Sequence, residues 1–217
     1  MKRIDLHTHS LLSDGELVPS ELARRAEKLG HAAIGIADHV DLSNINLVVP
    51  QIAKVAAELN RHMKIRVVAG AEITHVPVRT MAKMAKLARK LGAEIVVVHG
   101  ETLVEPVHEG TNDAALASDI DILAHPGLIT LEQAERAREA GICLELSSRK
   151  GHCLTNGLVA QLATRVKAKL LVNTDAHSPG ELLTLEAALN VAKGAGLNKK
   201  EAERAVVENP KELLKRL

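Results

Sequence analysis

The chain has 217 residues with nearly equal charges, Lys+Arg 28 against Asp+Glu 27, for a formal net charge of +1. That balance argues against a nucleic-acid partner, and 46% hydrophobic with 25% charged residues excludes a disordered chain. No apolar run reaches the roughly 18 residues of a membrane span, the absence of an apolar leader makes the cytoplasm the expected location, and two cysteines, Cys143 and Cys153, cannot frame a disulfide scaffold.

In chain order, β-branched apolar runs alternate with helical patterns. Arg3–His7 reads as a strand. Pro19–Leu29 reads as a helix, with Val18, Leu22, Ala26 and Leu29 on one face. Strand Ala33–Ala37 precedes helix Pro50–Met63, with Pro50 expected in the first turn. Ile65–Ala71 pairs with helix Val78–Leu91, and Glu94–His99 with Ala114–Ser118. Strand Ile120–Ala124 leads to helix Leu131–Ala140, Cys143–Ser147 to Gly157–Val166, and Leu170–Asn173 to Leu185–Ala195. Gly30, Gly92, Gly141 and Gly196 stand just past helix ends. Lys199–Glu208 reads as one more helix, broken by Asn209-Pro210, with a last turn or two in 211–217. Continuous runs such as Ile95-Val96-Val97-Val98 suit a parallel sheet covered on both faces. Seven β–α units without a linker predict one domain over residues 1–217. Periodicity alone allows a (β/α) barrel or a doubly wound open sheet.

Ligand-type residues gather where these strands end. The first strand runs into His7-Thr8-His9, and the second into Asp38-His39. The third ends at Glu72, the fourth at His99, the fifth at His125, and the seventh at Asp175-Ala176-His177. In a parallel barrel these ends share one face, the face that carries active sites. Residues i and i+2 of an extended chain point to one side, so His7 and His9 can chelate one ion, as can Asp175 and His177. Imidazoles and carboxylates in this arrangement predict a transition-metal site. The sixth strand ends in Ser147-Ser148-Arg149-Lys150, without a ligand.

His7-Thr8-His9-Ser10, Asp14-Gly15, Asp38-His39, Gly70-Ala71-Glu72, His99-Gly100, His125-Pro126 and Asp175-Ala176-His177 resemble, in order, the motifs of the PHP (polymerase and histidinol phosphatase) family. The resemblance implies a distorted, TIM-like (β/α)7 barrel of seven parallel strands. It implies two or three divalent transition metal ions. One would take His7, His9, Glu72 and Asp175; a second would share Glu72 and add His99 and His125. A third would take His39 and His177, with Asp14 where some members carry histidine. Many imidazoles favour Zn, Mn or Fe over Mg. Asp38 is expected to orient a ligand histidine.

The implied activity is that of a metal-dependent phosphoesterase. Its substrate would be a small phosphomonoester, histidinol phosphate-like or a nucleotide, attacked by a hydroxide bridging the metals. Catalytic roles fall to Glu72, Asp175, His177 and Arg149. Arg149 is expected to grip phosphate with its planar fork, Lys150 being the second choice. His177 or His152, or water, would protonate the leaving group. A hydrolase of amide, ester or lactone bonds on the same barrel is the alternative, and a non-catalytic metal-binding PHP module is another. The expected partner is a small phosphorylated substrate, without a membrane. His31 and His62 read as structural or solvated, His75 and His108 as loop residues of unfixed direction, and Cys153 as a weak nucleophile candidate. With no Phe, Tyr or Trp, substrate rings could stack only on Arg149 or histidine.

Overall fold

A computed structural model describes all 217 residues. Strand β1 (Arg3–Thr8) leads to helix α1 (Pro19–Lys28) and β2 (His31–Ile36). A two-residue strand β3 (His39–Val40) precedes α2 (Ile45–His62) and β4 (Arg66–Ile73). Then come α3 (Met81–Lys90), β5 (Ile95–His99), α4 (Thr111–Leu116) and β6 (Ile122–Ala124). Helix α5 (Leu131–Ala140), β7 (Cys143–Ser147), α6 (Asn156–Val166), β8 (Leu170–Asn173) and α7 (Leu185–Gly194) complete the alternation.

The main strands pair in parallel in the order β1-β2-β4-β5-β6-β7-β8, and β3 adds to the far end of β4. This is the expected seven-stranded TIM-like barrel, with β3 resuming the second strand beyond Asp38. It is nearly closed. Between β8 and β1 side chains do much of the joining: Asn173 Oδ1 accepts from Leu6 N and the Asp5 carboxylate from Thr174 N and Oγ1, while His7 O accepts from Asp175 N and Ala176 O from His9 N.

His31 opens β2 as a buried structural residue, its Nε2 2.8 Å from Leu183 O. Two expectations shift. Pro50 lies inside α2, not in its first turn, because the helix starts five residues earlier at Ile45. Asn209-Pro210 does not break the last helix. Helix α8 (Lys199–Glu203) continues through a π turn at Arg204–Glu208 into α9 (Asn209–Leu214). A wider turn before proline relieves the clash of its ring with the preceding turn.

Buried side chains form two clusters. The larger, of 51 residues, lies between sheet and helices. The smaller, of 12, includes Val68, Ile95, Val97, Cys143 and Leu171. These share strand faces with Glu72, His99, Glu145 and Asn173, so they line the barrel below the site. Leu213 of α9 joins them. Contacts of Leu214 with Arg66 and Glu212 with Lys169, and of Arg216 just past the helix with Gly141, lay α9 across the N-terminal end of the barrel.

Candidate metal centre

At the other end the strands deliver their histidines to one place. His7, His9, Glu72, His125 and Asp175 are all buried there. His7 Nε2 lies 3.4 Å from Glu72 Oε1 and 3.1 Å from His9 Nε2. Asp175 Oδ1 is 3.7 Å from His7 Nε2 and 3.0 Å from His9 Nε2. His125 Nε2 lies 3.5 Å from Glu72 Oε1 and 3.6 Å from Asp175 Oδ2. On one flank His39 and His177 bring nitrogens to 3.6 and 3.2 Å from Asp14 Oδ1, and His9 joins that group. On the other flank His99 stands with His125 and His152. Eight histidines form one continuous set of ring contacts, the closest being His9 on His177 at 4.0 Å between centroids. The positions expected for three ions therefore converge, with Glu72 between them.

The donors fit a cation. Glu72 is fully buried, yet neither carboxylate oxygen has an aligned hydrogen-bond donor. Asp175 Oδ1 is equally orphaned. Buried acceptors left so would each cost roughly 1–3 kcal/mol, and more when charged. Ions among these atoms would satisfy them together. Without ions, charge is divided sharply among neighbours. Burial would raise the Glu72 carboxyl, but His7, His39 and His125 outweigh it and hold it well below the usual carboxylate range. Burial opposes a charge on His7, yet Glu145, Glu72 and Asp175 hold its imidazole well above the ordinary range. Desolvation opposes a charge on half-buried His39 too, yet Glu72 above all lifts it to about 9. Burial, with His39 beside it, drives His9 well below.

Backbone strain marks the same place. His125 and Asp175 both hold positive φ, 26° and 53°, just past their strands. Such conformations cost about 1–3 kcal/mol each and persist where surroundings impose them. At Asp175 the strain turns the carboxylate in, while its N–H still donates to His7 O.

Arg149 stands at the rim, half-buried. Its NH1 lies 2.7 Å from His177 Nδ1 and its Nε 3.9 Å from Asp175 Oδ2. His177 Nδ1 also lies 2.9 Å from Asp175 O. In the tautomer that donates to this carbonyl, Nε2 turns a lone pair toward Asp14, and Arg149 loses its acceptor. Lys150 is exposed. Asp38 does not orient a histidine; it accepts from Ser10 N, Ser10 Oγ and Ser13 Oγ, pinning the turn that carries Asp14. A Cβ on Gly15 would stand 2.4 Å from His9 O, so only glycine lets this turn close.

Two acids escaped the sequence reading. Glu145, on β7, is fully buried, and its Oε2 accepts from His7 Nδ1 at 2.8 Å and from Asn173 Nδ2 at 2.9 Å. A lone acid in the run Cys143-Leu144-Glu145-Leu146 was the available signal, since buried carboxylates are almost always paired. Glu105, after β5, faces His99, His152 and His75. Nothing in its loop sequence announces this. His152 is buried beside His125, while His62 and His108 are exposed and away from the centre. Cys153 is exposed and Cys143 buried.

Comparisons with known proteins agree with the motifs. The chain is 51% identical over 217 residues to the uncharacterized protein MJ1295 of Methanocaldococcus jannaschii, covering 99% of this chain and 100% of that protein. It is 25% identical over 194 residues to the DNA polymerase/3'-5' exonuclease PolX of Bacillus subtilis, covering 80% of this chain and 34% of PolX. In fold it resembles a chain of archaeal ribonuclease P with mature tRNA, at a TM-score of 0.75 and 17% identity, over 99% of this chain and 90% of that one. It also resembles enamidase, of the amidohydrolase superfamily, at a TM-score of 0.65 and 15% identity, over 98% and 67%. The PHP domain description itself matches residues 5–152, a stretch running from the first histidine pair through His125. The chain therefore belongs to the PHP domain family.

Proposed function

We propose that this protein is a metal-dependent phosphoesterase acting on a small phosphomonoester, histidinol phosphate-like or a nucleotide. The family points to a metal-dependent hydrolase. The observation that carries the reading is Glu72, a buried carboxylate with no aligned hydrogen-bond donor although His39 Nδ1 lies 2.7 Å from its Oε2, set between two groups of imidazoles with an arginine at the rim.

His7, His9, Glu72 and Asp175 would hold one ion, Glu72, His99 and His125 a second, and Asp14, His39 and His177 a third. The imidazole-rich set favours Zn, Mn or Fe. Bound divalent ions supply an activated water and neutralise charge on phosphoryl oxygens. Arg149 offers a planar fork to the remaining oxygens from the mouth. Glu181 Oε2, 3.5 Å from Arg149 NH1, keeps the guanidinium at the rim and accepts from His177 N and Ser178 N. The leaving alkoxide takes its proton from water at the mouth. His177 is not free for that role, because Nδ1 serves Asp175 O and Nε2 faces the metal side.

A panel of phosphomonoesters, phosphodiesters, amides, esters and lactones, assayed with Mn, Zn, Fe and Mg, tests the reading. Phosphomonoesters should turn over fastest, and purified protein should carry about two to three equivalents of transition metal. Turnover of amides or lactones with phosphomonoesters inert would overturn it.

A further inference from the structure

We propose that Glu105 and His152, carried on the loops after β5 and β7, are ligands of the ion that His99 and His125 face. His99 Nδ1 lies 3.1 Å from Gly100 O. Only an N–H can donate to a carbonyl, so neutral His99 presents a lone pair at Nε2. That lone pair is 3.0 Å from Glu105 Oε2. The other carboxylate oxygen, Oε1, lies 3.4 Å from His152 Nε2. Nitrogen lone pairs and carboxylate oxygens repel at this range unless something positive stands between them. The spacing matches that of His9 Nε2 and Asp175 Oδ1, 3.0 Å apart across the first ion position.

His152 supports the assignment independently. It opens a short 3-10 helix, His152–Thr155, and is buried. Its ring stacks on His125 with centroids 4.2 Å apart, and Thr102 Oγ1 holds its Nδ1 at 2.8 Å, which aims Nε2 at Glu105. His99, His125 and His152 each bring one nitrogen within 4.8 Å of the others, and Glu105 joins that set through His99, with His75 beside it. The loop that carries Glu105 is anchored at its base. Asn112 exchanges hydrogen bonds with Glu101 and donates to Pro126 O. Gly127, at φ +66°, presses so close to Glu101 O that a Cβ would stand 1.7 Å from it.

Glu105 differs from the other ligands of this ion in one respect. His99, His125 and Glu72 are buried, whereas the Glu105 side chain is 38% exposed. It is the ligand that an arriving anion can displace without moving a strand. That exchange rests on the phosphoesterase reading; the ligand assignment rests only on the metal centre.

The test is metal binding by the full chain. Metal-stripped parent, Glu105→Gln, His152→Gln and the helix-surface control His62→Gln are titrated with Co²⁺, following visible absorption and bound metal. Circular dichroism melts confirm that each variant is folded. Both Glu105→Gln and His152→Gln should weaken one equivalent by at least about 10-fold and alter the cobalt spectrum, with His62→Gln like the parent. If the positive charge is only a proton, both variants will bind every equivalent as the parent does, and the assignment falls. Loss in His152→Gln alone removes Glu105 from the shell. A parent that binds no cobalt defeats the metal centre itself, and with it the proposed function.

Discussion

The two ends of this barrel are built to opposite rules. Across the strand starts, α9 seats Leu213 on an apolar cluster of Val68, Ile95, Val97, Cys143 and Leu171, and the packing is the kind that stabilises. Arg3 is the exception, a buried guanidinium held by Asp5 Oδ2 at 3.2 Å. Across the strand ends the same seven strands crowd imidazoles and carboxylates, leave the Glu72 oxygens without an aligned donor, and hold His125 and Asp175 at positive φ. Real proteins break local rules at functional sites and compensate elsewhere. Here the compensation is the closed end and the 51-residue layer under the helices. The comparison teaches that stability and chemistry are separable, so substitutions at one end should spare the other.

The sharpest break should come at Glu72. Glu72→Gln keeps the shape and removes the charge shared between ion positions. Turnover should fall about 1000-fold or more, the scale of removing a preorganised charged group from an active site. The melting temperature of the metal-free variant should hold or rise, because an orphaned buried charge has gone. Near-normal turnover, or a large loss of stability, would show that the two ends are not separable in this way.

Leu213→Ala should give the reverse. Leu213 is 2% exposed, so truncation should cost about 2–5 kcal/mol of folding stability. Denaturant titration would report that loss. Metal content and kcat, measured below the transition, should match the parent. A variant that loses metal in proportion to stability would couple the ends after all.

The contrast also explains what the sequence revealed. His7-Thr8-His9 and Asp175-Ala176-His177 were legible because strand periodicity fixes where alternate residues point, and the barrel fixes which ends meet. Val96 to Val98 were legible as a covered strand for the same reason. Glu105 was not, since a loop residue's direction depends on contacts such as Asn112 with Pro126, which no local pattern encodes. Asp38 misled because a carboxylate beside His39 reads as its partner, whereas the fold gives it to Ser10 and Ser13. The helix after Lys199 ran on past Pro210 because a π turn absorbs the proline, a local override of a strong breaker.

Arg149 tests whether the rim acts apart from the metals. Arg149→Ala should leave metal content unchanged and lower kcat/KM for phosphomonoesters roughly 10- to 150-fold, the worth of a charge-assisted bidentate contact of about 1.5–3 kcal/mol. Lysine there should restore part of it, having charge but no fork. Activity equal to the parent would send the search for the phosphate site to Lys150 or another loop.

The smallest expected effect is the most diagnostic, because it separates shape from charge. Glu145 accepts from His7 Nδ1, which leaves His7 Nε2 facing Glu72, His9 and Asp175. Glu145→Gln preserves an acceptor at that position for both His7 and Asn173, so the ring should stay in place. What changes is basicity. A carboxylate behind an imidazole strengthens its hold on metal, and its loss typically weakens binding about 10- to 100-fold. The same carboxylate strengthens the hold of His7 on a proton: against the effect of burial, Glu145 is foremost in raising that imidazole well above its ordinary range. At low pH the metal must displace this proton, and both competitors lose affinity together in the variant, so the deficit shrinks. As pH rises toward the elevated His7 value, the proton leaves and the full deficit shows. The gap in metal affinity between parent and Glu145→Gln should therefore widen with pH. A gap that stays constant from acid to base would mean that Glu145 merely props the ring, and that its charge does not reach the ion.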